Sequence, residues 1–314
     1  MARPLSLLAA LMMALFATLP ARAGEPLTVL LDWFVNPDHA PLVIAKQAGY
    51  FDDAGLDVTL VPPADPSAPP RLVAAGEGDV AISYQPNLYQ QVAEGLPLKR
   101  FGTIVATPLN SLVLLADGPV KSIADLKGRK VGFSVAGFED ALLAAVLKTE
   151  GLTLDDVERV NINFSLSPSL ISGNVDAVIG AFRNFEITQL RIEGHEGKAF
   201  FLEEHGVPPY DELIFIARED RLDDPKLAAF LSAVERATIF LTNHPEEAWK
   251  LFIAAHPDLD DELNRQAFTD TLPRFSKSPA AFDAARYARF ATFMKDAGLI
   301  PEALPVSSYS VMPK

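Results

Sequence analysis

The chain has 314 residues, with 41 acidic side chains against 27 basic ones, a net charge of −14 and no cysteine. Disulfides, thiolate metal centres and cysteine nucleophiles are thereby excluded, and the acidic balance argues against nucleic acid, whose phosphates reward basic surfaces. With 49% hydrophobic residues the chain can bury a large core, in one large domain or two smaller ones.

In chain order, Arg3 precedes an apolar run from Leu5 to Leu19, followed by Pro20 and the small-x-small sequence Ala21-Arg22-Ala23. This succession predicts a signal peptide over residues 1–23, with an uncleaved anchor as the competing reading. The run is short for a membrane span. Without Arg3 and Arg22, 25 basic side chains face 41 acidic ones, a net of −16. An exported chain without cysteine relies on its core and not on covalent staples.

The mature part opens with a β-like run, Leu27 to Leu31, and a helix from His39 to Gly49. Leu56 to Val61 alternates as a strand, and five prolines between Pro62 and Pro70 mark a loop. A short helix over 71–76, a buried strand over 79–82, a helix from Pro86 to Gly95 and a strand over 98–105 follow. The same alternation restarts after Ser111. Strands are predicted at 112–115, 130–133, 159–162, 176–179, 199–202 and 213–217. A short helix opens at Ser122 and a longer one runs from Gly137 to Glu150. From Asp224 onward the pattern is helical. Leu227, Phe230, Leu231, Val234, Ala237 and Leu241 form one stripe, another helix starts at His244, and the last spans 280–298.

Alternating strands and helices predict parallel, helix-flanked sheets. Two such halves would join near Asn110–Ser111 and again near Pro208–Tyr210. That arrangement predicts a hinge with a cleft between the halves, where small ligands bind. The boundaries are 24–110 for the first part of lobe one, 111–208 for lobe two, and 209–314 for the return strand and C-terminal helices of lobe one.

Four segments carry candidate chemistry. Asp32-Trp33-Phe34-Val35-Asn36-Pro37-Asp38-His39 follows the first strand, on the carboxyl edge where open α/β sheets bind ligands. Trp33 reads as a ligand contact or as core, Asp38 as a helix cap, and His39 as a loop-ending residue before a metal ligand. Ser83-Tyr84-Gln85-Pro86-Asn87 sits at a strand-to-helix turn. There Tyr84 could stack on a flat ring, and Ser83 reads equally as an N-cap. In Gly132-Phe133-Ser134-Val135-Ala136-Gly137-Phe138-Glu139, helix-start amides at Gly137 and Phe138 could hold an anion or polar atom. Glu139 there reads as ligand-facing or as complementing the helix dipole. Arg183-Asn184-Phe185-Glu186 is the fourth, with Glu186 as a hydrogen-bond acceptor for an amine or on a solvated face. No nucleotide-binding loop, G-x-S-x-G elbow or H-E-x-x-H is present, and the five histidines are scattered. These absences lead to the expectation of a non-enzyme with no cofactor and no metal.

The segments from Leu31 to His39, Ala48 to Val58, Gly78 to Pro86 and Ile123 to Gly132 resemble type II periplasmic binding proteins of the thiamine-pyrimidine-precursor group. The resemblance covers about residues 27–217. The Gly49-Tyr50-Phe51 and Leu126-Lys127-Gly128 segments are shared with wider relatives that bind sulfonates, nitrate or riboflavin. Asp32-Trp33-Phe34 with Asn36, and Ser83-Tyr84-Gln85, are more specific. The resemblance implies a periplasmic, monomeric solute-binding protein with two α/β lobes, a central cleft and a helical C-terminal tail. Its partners would be an inner-membrane ABC permease and its ATPase. The implied ligand is a thiamine-related aminopyrimidine, formylaminopyrimidine or hydroxymethylpyrimidine. Trp33 and Tyr84 would contact the ring. Asn36 and Glu186 would be polar partners, Glu186 accepting from the 4-amino group, and Phe138 and Glu139 would face the ligand from lobe two. A sulfonate, a nitrate-like anion or a riboflavin-like ligand is the alternative, disfavoured because the candidate segments offer only Arg183 as a cation. The same fold includes the fungal-type pyrimidine phosphate synthase, which has a cysteine-rich iron motif and consumes a histidine. Here there is no cysteine, and Asn87 stands at the histidine's position.

Overall fold

A computed structural model describes residues 24–312; the signal peptide predicted over residues 1–23 lies outside them. The chain builds two five-stranded sheets. Strand β1 (Glu25–Leu30) leads through α1 (Ala40–Gln47) and α2 (Tyr50–Asp53) to β2 (Leu56–Val61), then α3 (Pro69–Ala75), β3 (Val80–Ser83), α4 (Gln85–Ala93) and β4 (Leu98–Val105). The second sheet takes β5 (Asn110–Leu115), β6 (Lys130–Phe133), α5 (Phe138–Lys148), β7 (Glu158–Asn161), α6 (Leu166–Ile171), β8 (Ala177–Phe182), α7 (Glu186–Ile192) and β9 (Gly197–Phe201). Strand β10 (Leu213–Arg218) returns to the first sheet. Helices α8 (Pro225–Asn243), α9 (Pro245–Ala255), α10 (Glu262–Thr271) and α11 (Ala284–Asp296) complete the chain.

The orders are β2-β1-β3-β10-β4 and β7-β6-β8-β5-β9. The expectation of purely parallel sheets needs correction. Strand β10 runs antiparallel to both β3 and β4, and β5 antiparallel to both β8 and β9. Each is the first strand laid down after the chain crosses from the other sheet, so it enters from the opposite end. The remaining pairs are parallel, joined by helical crossovers as parallel pairing requires. The sheet interiors are apolar: all four residues of β3 and the first five of β10 are buried.

Helix α8 follows the sequence closely. Asp224 accepts a hydrogen bond from the Lys226 amide, Pro225 fills the first turn, and all six residues of the predicted stripe are buried. Phe230 stacks on Phe51 at 5.5 Å, fixing α8 against the first sheet's outer helices. Burying Phe230 contributes roughly 1.5–3 kcal/mol. Helix α10 packs on both the turn at Pro37–His39 and α7, so it touches both halves.

The two inter-sheet crossings, 105–110 and 201–213, meet at Glu212. Its buried carboxyl accepts from the amides of Leu109 (2.6 Å) and Asn110 (2.9 Å) and from the Tyr210 hydroxyl (3.1 Å). Burial pushes it up to about 7 against these hydrogen bonds. Among the described residues no helix is long and apolar enough to cross a membrane.

A carboxyl-rich aromatic cavity between the sheets

The loop after β1 is shaped by Asn36, whose side chain accepts from the Asp38 amide (2.8 Å) and donates to the Phe34 carbonyl (3.1 Å). Asn36, and not Asp38, is the cap of the following turn. Freed from capping, Asp38 turns inward. Its Oδ1 accepts from Asn184 Nδ2 (2.7 Å) and Thr271 Oγ1 (2.8 Å), joining the first loop, the second half and α10.

Between the sheets lies a cavity with about 500 Å³ of space free of protein atoms, its open mouth included. The first half contributes Asp32, Trp33, Asn36, Asp38 and Tyr84. The second contributes Phe138 and Glu139 from the start of α5, Leu166 from α6, Gly180 and Phe182 from β8, and Phe185 and Glu186 at α7. The Tyr84 and Phe138 rings, one from each half, stack with centroids 4.6 Å apart and planes 6° from parallel. At the rim Phe164 meets Trp33 edge-on at 4.6 Å and Phe34 at 4.3 Å.

Of the residues singled out in the sequence, Trp33, Asn36, Tyr84, Phe138, Glu139 and Glu186 converge on this cavity. Three do not. His39 is fully buried behind the wall, with Nε2 2.8 Å from Asp32 Oδ1. Asn184 is spent on Asp38 and Thr271. Gly137 opens α5 and accepts from Gln90 through its carbonyl (3.2 Å). Ser83 makes no cap, and its buried hydroxyl has no partner. Asp32 was passed over, yet it organises the wall: Oδ2 accepts from the Tyr84 hydroxyl (2.9 Å) while Oδ1 takes His39. Gly180 carried only the signal of directly following a predicted strand, and Phe182 and Leu166 carried none.

The cavity's electrostatics are one-sided. Among the described residues no lysine, arginine or histidine lines it. Burial pushes Glu139 and Glu186 each up to about 8 and Asp38 up to about 6, and it raises Tyr84 well above the usual phenol value. Of the helix-start amides that suggested an anion site, that of Gly137 donates to Asp140 Oδ2 (3.4 Å), and amides in the neighbouring loops are taken by the cavity's own acids. Ser134 and Val135 donate to Glu139 Oε2 (2.6 and 3.2 Å), and Phe182 donates to Glu186 Oε2 (2.6 Å). Among the described residues no group of three or more histidine or acidic side chains is arranged to hold a metal.

The "NMT1/THI5 like" family matches residues 36–248, more than half of the chain. The chain belongs to this family. It is 54% identical over 300 residues to a Haemophilus influenzae protein named for thiamine biosynthesis, covering 95% of this chain and 96% of that one. It is 33% identical to the formylaminopyrimidine-binding protein of Halalkalibacterium halodurans, covering 80% and 76%. The fold is that of periplasmic binding proteins. The alkanesulfonate-binding protein of Xanthomonas axonopodis superposes with a TM-score of 0.71 at 17% identity, over 92% of this chain and 98% of its own. The expectation of a non-enzyme is corrected by the same family. A Legionella pneumophila protein named 4-amino-5-hydroxymethyl-2-methylpyrimidine phosphate synthase is 29% identical over 80% of each chain, and fungal proteins carry the same name. Membership therefore spans proteins named for binding and proteins named for catalysis.

Proposed function

We propose that this NMT1/THI5-like protein captures a thiamine-related aminopyrimidine between its two halves and delivers it to an ABC importer. The observation that carries the reading is the cavity: flat aromatic walls, carboxyl groups and no cation. Such a lining suits an uncharged ring bearing an amine and disfavours sulfonate or nitrate-like ligands. Trp33 and Tyr84 contact the ring, Asn36 and Glu186 serve its polar edge, and Phe138 and Glu139 close from the second half. Lobe one comprises 24–110 and 209–314, and lobe two 111–208. They rotate about the crossings that Glu212 ties together, with ligand favouring the closed form. Residues 1–23 direct export to the periplasm, where a permease and its ATPase are the partners.

Tryptophan fluorescence tests the reading. Trp33 lines the cavity, whereas Trp249, the second tryptophan, is buried in α9. Hydroxymethylpyrimidine or formylaminopyrimidine should give saturable quenching that Trp33→Leu abolishes. Saturation by taurine or riboflavin alone would move the ligand to another class. Formation of pyrimidine phosphate by the purified protein would assign it to the synthase side of the family.

A further inference from the structure

Building on the reading of the cavity as an aminopyrimidine site, we propose that Glu139 and Glu186 meet the ligand as neutral carboxylic acids, each presenting an O–H donor from the oxygen that the protein's own amides leave free. Both side chains line the cavity and are almost fully buried, 3% and 7% exposed. Glu139 Oε2 accepts from the Ser134 and Val135 amides and Glu186 Oε2 from the Phe182 amide, and among the described residues no other residue's hydrogen bond reaches either Oε1. A buried carboxylate needs a cation or donors on both oxygens to stay charged; among the described residues no cation lines the cavity, and the backbone amides at hand are outweighed by burial. Arg183, close in sequence, is committed to Glu203 (2.6 and 2.8 Å) and to the carbonyls of Leu109 and Asn110.

The groups facing the two glutamates are acidic as well. Tyr84 lines the same cavity as Glu139, the Glu212 carboxyl acts on Glu139 through its charge, and Asp140 lies beside it, paired at 3.0 Å with Arg159. Asp38 faces Glu186, while Arg191 and Glu262 pair with each other at the surface between α7 and α10. A proton is the counter-charge left to both. Burial as the leading cause, with these neighbouring charges adding to it, pushes each glutamate up to about 8.

The chemistry follows from geometry. A 4-aminopyrimidine presents an N–H donor next to a ring-nitrogen acceptor. A neutral acid whose Oε2 is held by backbone amides keeps an Oε1–H to donate to the ring nitrogen. A carboxylate offers acceptors only and leaves the ring nitrogen unpaired, at a cost typical of a buried unsatisfied group. A phosphate or sulfonate finds no cation among the described lining residues, and the Ser134, Val135 and Phe182 amides are already taken by the protein's own acids.

The sign of the pH dependence is fixed by which form binds. The acids are present below about pH 8 and lost above it. Affinity should thus be level through neutral pH and fall about tenfold per pH unit for each group beyond it. The probe is 4-amino-5-hydroxymethyl-2-methylpyrimidine, titrated by calorimetry from about pH 6 to pH 9. Glutamine has the same donor and acceptor as the neutral acid. Glu186→Ala should weaken binding more than about tenfold at neutral pH, whereas Glu186→Gln should recover most of that loss and abolish the alkaline fall. Affinity that rises with pH, or a folded Glu186→Gln no better than Glu186→Ala, would overturn the proposal. Carbon-13 carboxyl NMR of the ligand-free protein decides it independently. Midpoints near 8 for Glu139 and Glu186 support it and midpoints below about 5 sink it. If no aminopyrimidine binds at any pH, the proposed function fails while that spectrum still rules on the protonation.

Discussion

One carboxylate, Asp32, serves two buried partners, and the plane of the Tyr84 ring depends on it. Its oxygens accept from the Tyr84 hydroxyl and from His39 Nε2, while His39 Nδ1 accepts weakly from the Asn36 amide at 3.3 Å. Asp32→Ala strands a buried hydroxyl and a buried ring N–H, each costing about 1–3 kcal/mol. The urea midpoint should drop, and pyrimidine affinity should fall with it because the stacking ring loses its anchor. Gly180→Ala tests the opposite wall. Gly180 has φ +96°, and a side-chain carbon there would collide with the Glu139 carboxyl. Backbone strain of about 1–3 kcal/mol and a displaced Glu139 should appear together, as a lower midpoint and lost binding. Trp33 and Tyr84 were legible in the sequence because each stands in a short polar-aromatic segment directly after a strand. Asp32 stood in the same segment and was missed, since its importance comes from Tyr84, 52 residues away. Gly180 and Phe185 matter through what folding sets opposite them, which no local pattern encodes.

At the level of elements, strand and helix order was readable from hydrophobic period and from proline and glycine punctuation. Direction was not. Strands β5 and β10 are antiparallel because of where the chain comes from, and that is a property of topology. Boundaries shifted where a cap intervened: α11 begins at Ala284, capped by Asp283, and not at Ala280. Helix α3 starts at Pro69 because proline suits a first turn. The short helices α6 and α7, each under two turns, had too little period to detect, and α7 carries Glu186. The triangle of Asp38, Asn184 and Thr271 ties three elements together at 2.7–2.8 Å. Asn184→Ala removes the second half's share of it. Asp38 keeps Thr271, so stability should change by about 1 kcal/mol or less. The ligand-saturated protein should show a larger radius of gyration in X-ray scattering and a faster off-rate. An unchanged radius and off-rate would refute a latching role.

Across the whole molecule, buried acids set the response to pH. Asp38, Glu139, Glu186 and Glu212 are all raised, to about 6, 8, 8 and 7. Between their ordinary values and these, the folded protein holds protons that the unfolded chain has released. Unfolding then releases protons, so stability falls as pH rises from about 5 to about 8 and levels off beyond. Urea midpoints measured across that window should trace the decline, and Glu212→Gln should make it shallower. A midpoint that climbs with pH over the same range would show these groups ionised in the fold. Thr271 carries a further consequence for how this protein can be cut or recombined. The family match ends at residue 248, beyond the last strand of either sheet but short of α10. A fragment cut at residue 248 with its N-terminal strand retained would keep every strand and look complete by its sheets. It would nonetheless leave Asp38 without the hydroxyl that reaches it from α10. The family match thus leaves out a residue that the loop after β1 depends on, and swaps between relatives should carry residues beyond 271 with that loop or neither.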